Sequence, residues 1–257
     1  MRHQRQHQFP RAALVGLVAG LVAVLFRAVL AGAEMLRNDL LVWSQGFQLW
    51  GWIFPLVFSM TGALLAVLLV IRLAPETSGS GIPHVKAVLH RLRTLRWKRV
   101  LPVKFISGAL AIGSGLALGR EGPTVQIGGA VGTGVASWFK ALPREQQTLT
   151  TAGAGAGLAA AFNAPLAGVM FVLEEIQRDF HPSVFGAAFL AAAVADIVVR
   201  LLFGGLPVLI VPNYAAPPMA ALPVCALLGL FAGLLGVIFN RGLLLTVDLF
   251  DRFQGLR

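Results

Sequence analysis

The 257 residues are 57% hydrophobic and only 12% charged, with a mean hydropathy of +0.78. A soluble domain carries about twice that charged fraction, so the composition excludes an ordinary soluble fold and places the chain in a bilayer as a polytopic membrane protein. The formal net charge of +10 does not point to nucleic acid, because the basic residues sit beside apolar stretches, where they orient a membrane chain.

A bilayer solvates apolar side chains but not backbone amides, so the spanning elements are expected to be helices and the fold all-α. Arg2, Arg5 and Arg11 open the chain, and residues 1–11 read as a basic cytoplasmic N-terminus. The apolar run from Ala12 to Phe26, with "AGA" at 31–33, mimics a secretory signal. A repeat argues instead for a spanning helix over 12–37. "LVGLVAGLVAVLFR" (14–27) and "LLGLFAGLLGVIFN" (227–240) share Leu, Gly, Leu, Ala, Gly, Leu, Val and Phe in one ungapped frame, a sign of a duplicated unit. A second helix, 51–73, returns across the membrane, starting or bending near Pro55.

"PETSGSGIPHVK" (75–86) follows. Two glycines permit tight turns, Ser80 is a good N-cap, and Pro83 suits a first helical turn, where its absent N–H is not missed. The pattern predicts a short helix to about Leu92, whose free N–H groups would suit an anion. An ordinary capped turn at the surface has the same letters. Lys86, Arg91, Arg93, Arg96, Lys98, Arg99 and Lys104 fall in 86–104 with no acid among them, which reads as a cytoplasmic segment.

Residues 101–118 are apolar and lead into "GREGP" (119–123), a second glycine turn with proline at a helix start. The helix expected over 123–139 is short for a span of about 20 residues. Glu121 would sit at its positive end and compete with an anion for the same amides. A structural Arg120–Glu121 ion pair is the alternative. Residues 148–175 are apolar but broken at "FNAP" (162–165), because Pro165 lacks a helical donor. Glu174 and Glu175 close that helix on the side of the basic segment, where two acids in headgroup water would be unremarkable. Helices over 183–203 and 220–250 complete the chain. The Gly-x-x-x-Gly pairs 115/119, 128/132 and 153/157 suit close helix packing. Cys225 is the only cysteine, and the histidines at 3, 7, 84, 90 and 181 show no metal-ligand spacing, so no metal site is expected.

Taken together, "APETSGSGIPHVK", "WKRVLPVKF", "LGREGPTVQIGG", "AAAFNAPLAGVMFVLEEI" and the two repeat helices resemble the CLC family of chloride channels and chloride/proton exchangers. The resemblance implies two inverted repeats with broken, re-entrant half-helices, and an anion held between helix N-termini. On that footing, 12–219 is the first repeat and 220–257 the opening helix of a second. Gly79, Ser80, Gly81 and Ile82 would bind the anion with Arg120 and Gly122. Glu121 would be the gate and external proton site, and Glu175 the inner proton relay typical of exchangers. Ser80 favours chloride, since nitrate-selective relatives tend to carry proline there.

The implied protein is a transporter rather than an enzyme. It needs no cofactor and lies in a bacterial inner membrane with its N-terminus cytoplasmic, as a homodimer. A passive chloride channel is the alternative within the family. A non-transporting truncated subunit is the alternative outside it. His84 departs from the glutamate common at that position; it would either titrate near neutral pH or face water. Lys86 is placed to help neutralise the inner acids. The family's second Gly-rich motif and its chloride-coordinating tyrosine have no counterpart, Tyr214 matching neither. The chain is therefore expected to need a complementary C-terminal half and not to move chloride by itself.

Overall fold

The computed structural model describes residues 2–178, 180–205 and 218–254. Tyr214 lies outside the described residues. The described residues form helices and contain no strand. In chain order they are α1 (Arg2–Ser44), α2 (Ile53–Leu73), α3 (Ile82–Leu89), α4 (Trp97–Gly113), α5 (Glu121–Trp138), α6 (Pro143–Phe162), α7 (Pro165–Phe171), α8 (Pro182–Phe203) and α9 (Leu222–Gln254). A 3₁₀ turn (Gln45–Trp50) follows α1, and a π-helical turn (Val172–Gln177) extends α7. Four described segments are long and apolar enough to cross a membrane: Gln8–Phe47, Ile53–Leu73, Pro182–Phe203 and Met219–Arg252. The chain divides into two compact units, Met1–Ile210 and Val211–Arg257, the second built around α9.

In the first unit, α5 and α6 form the centre. Residues 122–136 of α5 and 148–161 of α6 are all buried, a pattern helices show only when surrounded by others. Their contact is backbone on backbone: Gly128 faces the Gly153 carbonyl, Gly132 that of Leu149, and Gly157 that of Thr124. Lipid offers no hydrophobic drive between helices, so close approach of small residues supplies the packing. α1 and α8 lay rows of Ala and Val against α6: Ala12, Val15, Ala19 and Ala23 from one, Ala187, Ala191 and Ala195 from the other. Gly16 and Gly20 bring α1 onto the backbone of α8 at Ala191 and Ala195. The Gly pairs 128/132 and 153/157 thus pack helices as expected. The pair 115/119 does not, because both residues lie in the loop between α4 and α5.

Other boundaries shift for identifiable reasons. α1 runs through the basic N-terminus, and Arg11 bonds Glu145 at 2.6 Å, pinning α1 to the start of α6. α4 starts at Trp97 rather than 101, so Lys98 and Arg99 join the helix that holds Lys104. α5 starts at Glu121 rather than 123, which brings Glu121 and Gly122 into its first turn. The break at 162–165 stands where expected: α6 ends at Phe162, Asn163 takes the left-handed conformation (φ 53°), and Pro165 opens α7.

Candidate functional site

The turn from Thr77 to Gly81 owes its shape to its glycines. Gly79 (φ +66°) and Gly81 (φ +87°) both occupy the left-handed region that residues with a Cβ avoid. Gly81, not Ser80, is the N-cap of α3. Ser80 stands one residue earlier, and its hydroxyl accepts the Ile82 N–H at a long 3.4 Å. The correction follows from Gly81: its left-handed backbone starts the helix, which leaves the Ser80 hydroxyl weakly engaged.

The second loop ends at Arg120, the N-cap of α5. The Glu121 carboxylate folds back over Gly119, and the Glu121 carbonyl accepts the Thr124 hydroxyl at 2.9 Å. Arg120 and Glu121 form no ion pair with each other or with any other described residue. Neighbours on a tight turn point apart, so the structural-pair alternative fails.

Gly122 joins the two loops. A methyl group there would lie 2.5 Å from the Ser80 carbonyl oxygen and 2.8 Å from its Cβ. The N-terminal ends of α3 and α5 therefore meet. Each carries the positive end of a helix dipole, so negative charge nearby favours their meeting. Beside them lies a cavity of about 610 Å³, lined by Thr77, Ser80, Lys104, Ser107, Glu121 and Gly122 with apolar residues of α2 and α4. Gly79 and Ile82 also line it; Gly81 and Arg120 do not.

Sequence reasoning missed two residues here. Lys104, counted with the basic segment, is buried (4% exposed). Its ammonium donates to the carbonyls of Thr77 (2.9 Å) and Gly79 (2.6 Å), fixing the turn that presents Ser80. It has no carboxylate partner among the described residues. The available signal was an isolated ionisable residue inside an apolar stretch, which is costly and therefore informative. Gln126, fully buried on α5, donates to the Glu76 carbonyl at 3.0 Å and meets His84 Nδ1 at 3.0 Å. His84 is thus buried behind the turn rather than facing water.

Glu175 lies apart from this cavity. It sits in the π-helical turn after α7 and bonds Lys86 of α3 at 3.1 Å. The hydrogen bond from Lys86, then its Coulomb attraction, holds the carboxyl below the usual range for glutamate. Glu174 beside it is exposed and has no ion-pair partner among the described residues.

The model of the voltage gated chloride channel family matches residues 62–256. The H(+)/Cl(-) exchange transporter ClcA of Vibrio cholerae is 43% identical over 244 residues, covering 94% of this chain and 52% of that protein. ClcA of Citrobacter koseri is 40% identical over 247 residues, covering 95% and 52%. Among solved structures, a slow cyanobacterial Cl-/H+ antiporter superposes with a TM-score of 0.88 at 35% identity, covering 95% of this chain and 58% of that one. A eukaryotic CLC transporter does so at 0.75 and 26%, covering 94% and 43%. The chain spans about half the length of the curated relatives it matches.

Proposed function

The chain belongs to the voltage gated chloride channel family, and from that premise we propose that it takes part in chloride/proton antiport across a bacterial inner membrane. The observation that carries this reading is the contact of Ser80 with Gly122, which sets two helix N-termini side by side next to a cavity that also holds Glu121. Chloride binds there through backbone N–H groups and the Ser80 hydroxyl, with Gly79, Gly81 and Ile82 shaping one loop and Arg120 and Gly122 the other. Dehydrating a small anion is unfavourable, and several converging partial charges are needed to offset it.

Glu121 is the gate. Ionised, it supplies the negative charge that the two helix ends require, and it competes with chloride. Protonated, it leaves the site to the anion and carries the proton. Glu175 is the inner proton relay. The N-terminus lies in the cytoplasm, the protein works as a homodimer in the bilayer, and a complementary C-terminal half completes the anion pathway. The ClcA relatives are H(+)/Cl(-) exchange transporters by name, which favours antiport over the passive channel.

The test is Glu121→Gln in the assembled transporter, reconstituted into liposomes and followed with chloride and pH electrodes. Proton movement should vanish while chloride flux persists. Undiminished proton pumping would remove Glu121 from the mechanism.

A further inference from the structure

We propose that Lys86 is a positioning residue for the inner proton relay: it holds Glu175 in place and links its protonation to the short helix that bears the anion-binding turn. This rests on the antiport reading above. α3 is only eight residues long, Ile82–Leu89. Its N-terminal end presents Ser80 to the cavity, and Lys86, on the same short rod, reaches Glu175 Oε1 at 3.1 Å.

Both ends of the ion pair stand on packed supports. Val85 and Leu89 of α3 share a buried cluster with Val172, Leu173 and Ile176 of the π-helical turn. That turn is anchored further by the Thr151 hydroxyl, which donates to Gln177 Oε1. The buried residues of the turn take the inner face, so Glu174 and Glu175 project outward. Only Glu175 meets the α3 lysine. Among the described residues, the other charges around it are Arg178, at the end of the turn, and Glu174 beside it.

The pair is partly solvated, with side-chain exposures of 30% for Lys86 and 54% for Glu175, so a proton from water can reach the carboxylate. A protonated carboxyl is a poor acceptor for an ammonium, because the charge-assisted part of the bond is lost. Taking up a proton therefore releases Lys86 and removes the polar tie between α3 and the turn, leaving the packing of Val85 and Leu89 to hold it. Lys86 also sets the proton affinity of the relay, since a cation in contact favours the ionised form.

The experiment titrates Glu175 directly, by carbon-13 NMR of glutamate-labelled chain in lipid nanodiscs, with the resonance assigned by its loss in Glu175→Gln. Lys86→Met and Lys86→Gln should move the Glu175 midpoint upward, and Lys86→Arg should keep it near the wild-type value. In the assembled transporter, the pH profile of proton flux should shift the same way in Lys86→Met and recover in Lys86→Arg. A midpoint unmoved in both neutral variants, or not recovered by arginine, would overturn the role of Lys86. Proton flux that survives Glu175→Gln would instead remove Glu175 as relay, which separates failure of the premise from failure of this inference.

Discussion

Gly122→Ala isolates the contact on which the proposed anion site depends. The backbone at 122 is helical, so a methyl group meets no conformational penalty and gains about 1 kcal/mol of helix propensity. Space is the obstacle. The new Cβ would lie 2.5 Å from the Ser80 carbonyl oxygen, 2.8 Å from Ser80 Cβ and 3.0 Å from its Cα, where ordinary contact begins at 3.4 Å. The Ser80 turn would have to retreat by close to 1 Å, against the hold of Lys104 on the Thr77 and Gly79 carbonyls. Overpacking of this kind costs about 1–3 kcal/mol, offset in part by the propensity gain, and the remainder is small enough that folding should survive. Binding should not. A misplacement of about 1 Å is worth about 100-fold where geometry is critical, which is about 2.7 kcal/mol in Kd. The assay is calorimetric chloride titration of the assembled transporter. Gly32→Ala serves as control, since nothing lies within 4 Å of that site. Chloride affinity within twofold of wild type in a folded Gly122→Ala protein would refute the shared site.

Three further outcomes are expected. Ser80→Pro should raise nitrate affinity relative to chloride in the same calorimetric assay, and an unchanged ratio would place the anion elsewhere. Glu174→Gln should keep proton coupling in the liposome assay while Glu175→Gln loses it; the reverse would mean the two acids exchange roles. Burial alone would raise the Glu76 carboxyl, but the hydrogen bonds and charge of Arg96, at 2.9 Å to both oxygens, bring it below its ordinary value. A depressed carboxylate contributes stability above its unfolded pKa and loses it as pH falls through the folded one. Thermal melts should therefore show a step in stability below about pH 4.5, and Arg96→Gln should flatten it.

Much of the site was legible because glycine and proline act locally. The left-handed turns at Gly79 and Gly81, the loop before Gly122 and the break before Pro165 all follow from one or two residues each. What escaped depends on partners distant in sequence. Lys104 reads as one more basic residue until its ammonium is seen on two carbonyls 25 and 27 positions away. His84 is ambiguous until Gln126, 42 positions on, is found against its ring. The start of α5 at Glu121 was misplaced because Pro123 marks a first turn without fixing which of its positions it fills.

The glycine contact between α5 and α6 bears on membrane mechanics. A contact of backbone on backbone has no side-chain rotamers to absorb a shift, so rocking of α5 is transmitted to α6, which is in turn covered by α1 and α8. On the proposed reading, α5 is then a fixed mount for the side chain of Glu121, a lever of a few torsions. A gate of that kind opens without changing helix tilt or the area the protein occupies in the bilayer. On the proposed reading of Glu121, stretching the membrane would do little work on this gate.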